Sequence, residues 1–170
     1  MRYEDLLLKK PIESKSYKED SEFVIKQMKA ILDSQMACGD NKIIINTNLR
    51  MGLPLENINK IAGPMLEAWA GEVFAGIRDD MNNPYHLINV EAQERLGMAD
   101  IILQFKKDNS ALTGNVDVKA TANDIPNSGK GPNITSFSRI RTAYVNDPDF
   151  MFIILSIKHR VYVKRNEKTG

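Results

Sequence analysis

The chain has 170 residues, of which 42 % are hydrophobic and 26 % charged, with a formal net charge of +1. That length suits one domain with a real core, and no apolar run approaches the ~18 residues of a membrane span. A single cysteine, Cys38, excludes a disulfide framework and a Cys-rich zinc site.

Charged residues flank the short Leu6–Leu8 run, so no secretory leader is read, and a reducing cytoplasm is the expected compartment. Between Lys119 and Arg141 four basic residues (Lys119, Lys130, Arg139, Arg141) face one acid, Asp124. Between Lys158 and Lys168 five basic residues face Glu167. Such stretches suit a phosphate backbone, although a solvated surface is the commoner meaning of clustered charge.

In chain order, residues 1–18 lack a period and read as an arm or short helix. Phe23, Ile25, Met28, Ile31 and Leu32 predict a helix over 20–37 with Ser21 as N-cap, closed by Gly39-Asp40-Asn41. Pro54 opens a second helical stretch to Ile77, with Ile58, Ile61, Met65, Leu66, Trp69, Val73 and Phe74 as its buried stripe. Gly63-Pro64 predicts a break into two helices there. Asn82-Asn83-Pro84 is a turn.

The period then changes. Residues 85–90, 99–105 and 115–121 read as strands, the last two joined by a polar turn over 106–114. Residues 123–133 form a loop rich in Asn, Pro and Gly, and 135–144 a helix. Residues 150–157 and 160–164 are expected to close a final hairpin around Lys158-His159. The expectation is an α/β fold, with a mixed central sheet of about five strands flanked by helices.

In Asn115–Thr121, Asp117 and Lys119 are two apart, which on a strand puts both side chains on one face. Asp100 stands at the head of the preceding strand, so antiparallel pairing would bring it to Asp117. Adjacent carboxylates repel, and a fold that gathers them usually supplies a cation. Oxygen ligands without Cys or His suit Mg²⁺, with Mn²⁺ as a substitute. Such an ion clamps a phosphate and acidifies a bound water. Lys119 would offset charge at the phosphorus. A lone D-x-K on a strand is more often a solvent-facing edge; Asp100 beside it is what shifts the balance.

Ala99-Asp100-Ile101-Ile102-Leu103 followed by Val116-Asp117-Val118-Lys119 resembles the signature of the PD-(D/E)XK nucleases. The following Gly-Pro-Asn-Ile-Thr-Ser-Phe segment, 131–137, is similar to that of type II restriction endonucleases of the EcoRV and HincII kind. The likeness covers roughly residues 60–158, and it departs at Ala99, where the signature has proline. It implies a restriction-endonuclease-like core over 61–170, preceded by an N-terminal helical region over 1–60 available for dimerisation or as a DNA arm. Relatives carry further C-terminal elements, so the chain reads as shortened or minimal after Thr169-Gly170.

The resemblance also implies roles. Asp100, Asp117 and the Val118 carbonyl would hold the metal, Lys119 would be the catalytic lysine, and Glu67, with Glu72 as fallback, an accessory acid on the helix before the sheet. The resemblance also takes Asn133 and its neighbours to the groove; from their residue types, Asn123, Asn127 and Lys130 on the same loop suit base edges, and Thr135, Ser136, Ser138, Arg139 and Arg141 suit phosphates. The implied activity is Mg²⁺-dependent, sequence-specific cleavage of double-stranded DNA by a homodimer, because a palindromic site needs two active sites. A repair or recombination nuclease of the same superfamily, or a non-catalytic DNA-binding module, are the alternatives. His86 and His159 lack ligand spacing and read as surface residues, His159 at a turn with a phosphate contact open to it; Trp69 reads as core.

Overall fold

The computed structural model describes residues 2, 4, 9–93, 97–123 and 137–162. Helices α1 (Tyr17–Cys38) and α2 (Leu55–Asp79) precede strands β1 (Leu87–Ala92), β2 (Ile101–Lys107) and β3 (Ser110–Ala122); helix α3 (Phe137–Asn146) then leads to β4 (Met151–His159).

Helix α1 starts earlier than its apolar period suggests, with Ser16 at the N-cap position; Ser21 instead lies inside the helix and donates its hydroxyl to the Lys18 carbonyl at 2.9 Å. Its buried stripe is Val24, Met28 and Ile31, while Ile25 is 51 % exposed. The spacing 24, 28, 31 keeps one face inward, which Ile25, about 100° further round, cannot join. Gly39 ends the helix in the left-handed region (φ 84°), its N–H reaching the Gln35 and Met36 carbonyls. This closure needs a residue without Cβ strain.

The expected break at Gly63-Pro64 does not occur: α2 is one helix with Pro64 inside it. A mid-helix proline costs about 3 kcal/mol locally, yet Ala62, Leu66, Ala70, Val73, Phe74 and Ile77 are buried along one continuous stripe on both sides of it. Tertiary burial of that stripe outweighs the missing backbone bond. Ile61, expected inside, is 41 % exposed, and Trp69 is half-buried, its indole N–H donating to the Asp40 carbonyl at 3.2 Å.

The strands form one mixed sheet in the order β1-β2-β3-β4. β1 and β2 pair antiparallel, as do β2 and β3, with Ile101 opposite Val116. The 106–114 turn shrinks to Asp108-Asn109, Asp108 taking a positive φ of 53°, so β3 gains residues at its start. β4 runs parallel to β3, from Gly114 opposite Met151 to Ala122 opposite His159. A parallel neighbour needs a crossover, and α3 lies in that connection. This corrects the expected final hairpin: Lys158 and His159 belong to β4, and neither is a residue that tight turns demand. Among the described residues the strands number four, not five.

One core joins α1, α2 and the sheet: Val24, Met28 and Ile31 pack with Leu66, Val73 and Phe74 over Leu103, Phe105, Val116 and Val118. The expected boundary at 60/61 falls within α2, and α1 belongs to the same core as the strands. Because Pro64 opposes a helix the core otherwise maintains, Pro64→Ala is expected to stabilise the protein by ~1–2 kcal/mol, the restored helical bond being partly offset by a freer unfolded chain. Calorimetry should show this as a melting temperature raised by about 2–4 °C per kcal/mol.

Candidate active site

Asp100 immediately precedes β2, and its backbone continues the hairpin: its N–H donates to the Val116 carbonyl and its carbonyl accepts from the Gln93 N–H, both at 2.9 Å. Its side chain turns onto the neighbouring strand, where Oδ2 accepts the Val118 N–H at 2.7 Å. Val118, with its side chain in the core, thus supplies the backbone donor that fixes Asp100 beside β3.

On β3, Asp117 and Lys119 share one face, as period-2 geometry requires, and Val116 and Val118 share the other, in the core. The Lys119 ammonium donates to Asp117 Oδ1 at 2.7 Å. Asp117 is 3 % exposed, and its Oδ2 is buried without a hydrogen-bond partner. Burial raises its pKa above 3.8; the Lys119 ammonium opposes that, and the Asp100 charge adds to it. A buried carboxylate oxygen with no donor is costly unless something cationic meets it.

Glu67 lies on α2 one position past Leu66 and three before Ala70, at the margin of the stripe that faces the sheet. Its pKa is raised by burial first, then by Asp100; Lys119 lowers it and Asp117 raises it. Glu67 therefore shares the electrostatic environment of Asp100, Asp117 and Lys119. Glu72 opens instead onto a separate cleft with Gln35, Asp40 and Trp69. Among the described residues no three His, Cys, Asp or Glu converge as a ready-made metal cluster; Asp117 feels the Asp100 charge, and Glu67 feels both.

Of the residues expected to meet DNA, Asn123 is exposed at the end of β3, its N–H donating to the His159 carbonyl at 2.9 Å. Asn127, Lys130, Asn133, Thr135 and Ser136 lie outside the described residues. Arg139 is exposed on α3 and borders a shallow cleft with Met98, Ser138 and Thr142. Arg141, on the same helix, donates from Nη2 to the Lys9 carbonyl at 2.8 Å. His159 is no turn residue: its ring Nε2 lies 3.1 Å from Asn59 Oδ1, and Nδ1 is buried without a partner. An isolated histidine between two basic residues carries no sequence signal of that contact, which depends on where α2 crosses the end of β4.

A family model described as type II restriction endonuclease HpaI matches residues 4–170, which gives the class: a type II restriction endonuclease, a sequence-specific DNA endonuclease. The type II restriction enzyme HpaI of Haemophilus parainfluenzae is 69 % identical over 170 residues, covering 100 % of this chain and 67 % of that protein. The chain belongs to the HpaI family of type II restriction endonucleases.

Asp117 has a direct test. Since folding raises its pKa above 3.8, by burial first, the native state loses stability as pH rises from that value through the folded pKa. Asp117→Asn keeps an acceptor for Lys119 and removes the buried charge. The metal-free variant is expected to melt several degrees higher than the parent at pH 7, with the difference shrinking toward pH 3; equal melting temperatures at pH 7 would contradict the electrostatic argument.

Proposed function

We propose that Asp100, Asp117 and Lys119 are the catalytic centre of this endonuclease and that it hydrolyses DNA phosphodiester bonds with a bound Mg²⁺. The observation that carries the reading is Asp117 Oδ2, a buried oxygen with no donor, on a carboxylate adjoining a second acid and a lysine. These donors fit a hard divalent cation: the two acids offer carboxylate oxygens, hydrogen-bonded to a backbone amide and an ammonium, with no sulfur or imidazole among their hydrogen bonds. Asp100 and Asp117 would hold the ion with the Val118 carbonyl, and Mn²⁺ would substitute. When bound, the ion supplies Lewis acidity toward the phosphate and acidifies a water.

The chain's own residues do the rest. The Val118 N–H holds Asp100 in place, so the two carboxylates are preorganised before substrate arrives. The Lys119 ammonium, tethered at 2.7 Å to Asp117, is placed to orient the attacking water and to offset charge developing on the phosphate oxygens. Glu67, whose carboxyl titrates high beside the other acids, adds an accessory acceptor at the margin of the site. Asn123, Asn127, Lys130 and Asn133 are assigned to base edges, and Thr135, Ser136, Arg139 and Arg141 to phosphates. Cutting both strands of a palindromic site needs two centres, so we assign a homodimer, acting in the cytoplasm. No helix among the described residues is long and apolar enough to cross a membrane.

Asp117→Ala and Lys119→Ala are each expected to lower plasmid cleavage in Mg²⁺ by at least ~10²-fold, the scale of losing one preorganised electrostatic contact. DNA binding measured in Ca²⁺ should stay within a few-fold of the parent; cleavage at the parental rate by either variant would remove that residue from the mechanism. Binding should also weaken steeply with salt, log K falling linearly with log salt at a slope of about −0.9 per phosphate contact. A flat profile between 50 and 200 mM NaCl would count against duplex DNA as the ligand.

A further inference from the structure

Helix α3 has no fully buried side chain, residues 140–145 being half-buried, although it lies in the connection between the catalytic strand and β4 and carries Arg139 and Arg141. A ten-residue helix with no fully buried side chain is too short to be stable by itself, so its position depends on the contacts of its half-buried face. Several of those come from the N-terminal segment. The Arg141 guanidinium donates to the Lys9 carbonyl at 2.8 Å, and the Tyr17 and Tyr144 hydroxyls share a hydrogen bond at 3.2 Å, their rings meeting edge to face at 6.4 Å. Just beyond α3, the Ser14 N–H donates to the Pro148 carbonyl at 3.3 Å, and its hydroxyl donates to Asp149. Tyr144 extends the chain of contacts to β4, with its ring perpendicular to Phe150 at 5.2 Å and its hydroxyl accepting the Phe152 N–H at 3.2 Å.

Tyr17 opens α1, whose Val24, Met28 and Ile31 are locked in the core. The segment 9–17 is therefore anchored at one end to the rigid body and touches α3, the turn after it and, through Tyr144, β4. We propose that residues 9–17 are a strap that sets α3 for DNA, and that Tyr17 and Tyr144 are positioning residues for DNA binding, acting through Arg139 and Arg141. The inference rests on the reading of this chain as a DNA-cleaving enzyme. It adds that the N-terminal segment belongs to the DNA-binding apparatus, by way of a helix more than a hundred residues downstream. The arginines place their charges only as well as the helix is placed, so loosening the strap costs ground-state binding and leaves Asp100, Asp117 and Lys119 untouched.

The test uses a duplex fragment spanning a cleavage site mapped with the parent protein, and the variants Tyr17→Ala, Tyr17→Phe and Tyr144→Ala, assayed well below their melting temperatures. Tyr17→Ala and Tyr144→Ala should raise KM five-fold or more with kcat within two-fold, and Tyr17→Phe, which keeps the ring contact, should fall between them and the parent. KM within two-fold of the parent, or a fall in kcat at unchanged KM, would overturn the proposal. Should the alanine variants not fold, removal of residues 1–13 deletes the Lys9 contact while leaving α1 whole, and the same rise in KM is required of it. Amide hydrogen exchange in α3 of the DNA-free protein must quicken at least several-fold in each variant. A parent protein that cuts no DNA would sink the endonuclease reading, whereas unchanged exchange in α3 would sink the strap alone.

Discussion

One backbone hydrogen bond organises the site: the Val118 N–H donating to Asp100 Oδ2 at 2.7 Å. It ties a side chain at the head of β2 to the main chain of β3 between the two residues, Asp117 and Lys119, that face away from the core. Antiparallel pairing of Ile101 with Val116 brings the strands into that register, and a slip of one residue would turn Asp117 inward and the valines outward. The register is secured by what packs beneath it, since Ile101, Leu103, Val116 and Val118 are all buried under α1 and α2. Placement of the acids is thus a consequence of hydrophobic packing on the opposite face of the same strand.

That placement has an electrostatic cost. Asp117 has one oxygen on Lys119 and the other with no donor, in a setting where burial disfavours the charged form. A site with this imbalance costs stability, since a buried carboxylate oxygen without a donor is expensive. Glu67 adds a third acid, its own ionisation disfavoured for the same reasons. Lys119 is the counterweight, close enough to Asp117 to keep the cluster from being uniformly negative.

The elements around the sheet divide the work. α1 and α2 supply the core, and α2 also carries Glu67 and, near its start, Asn59, which meets His159 at the end of β4. The His159 carbonyl receives the N–H of Asn123, the residue where the chain leaves β3. α3 contributes almost nothing to the core and is held by polar and aromatic contacts. An element so attached can be adjusted with little loss of global stability.

Much was legible along the chain because it is encoded locally. The 3.6 and 2.0 periods marked α1, α2, β2 and β3, and Asp-x-Lys on a strand with an acid on its neighbour was enough to bring together Asp100, Asp117 and Lys119. The preference for Glu67 over Glu72 came from the resemblance, and the fold sets them in different surroundings. What the chain alone left undecided depends on contacts between distant segments. Pro64 reads as a break in any local scheme, and only burial of one stripe across it keeps α2 whole. Lys158 and His159 resembled the tip of a hairpin until pairing with β3 drew them into a parallel strand. The contacts of residues 9–17 with α3, and of His159 with Asn59, join residues far apart in sequence, and such pairings exist only once the sheet and helices have set the distances between them.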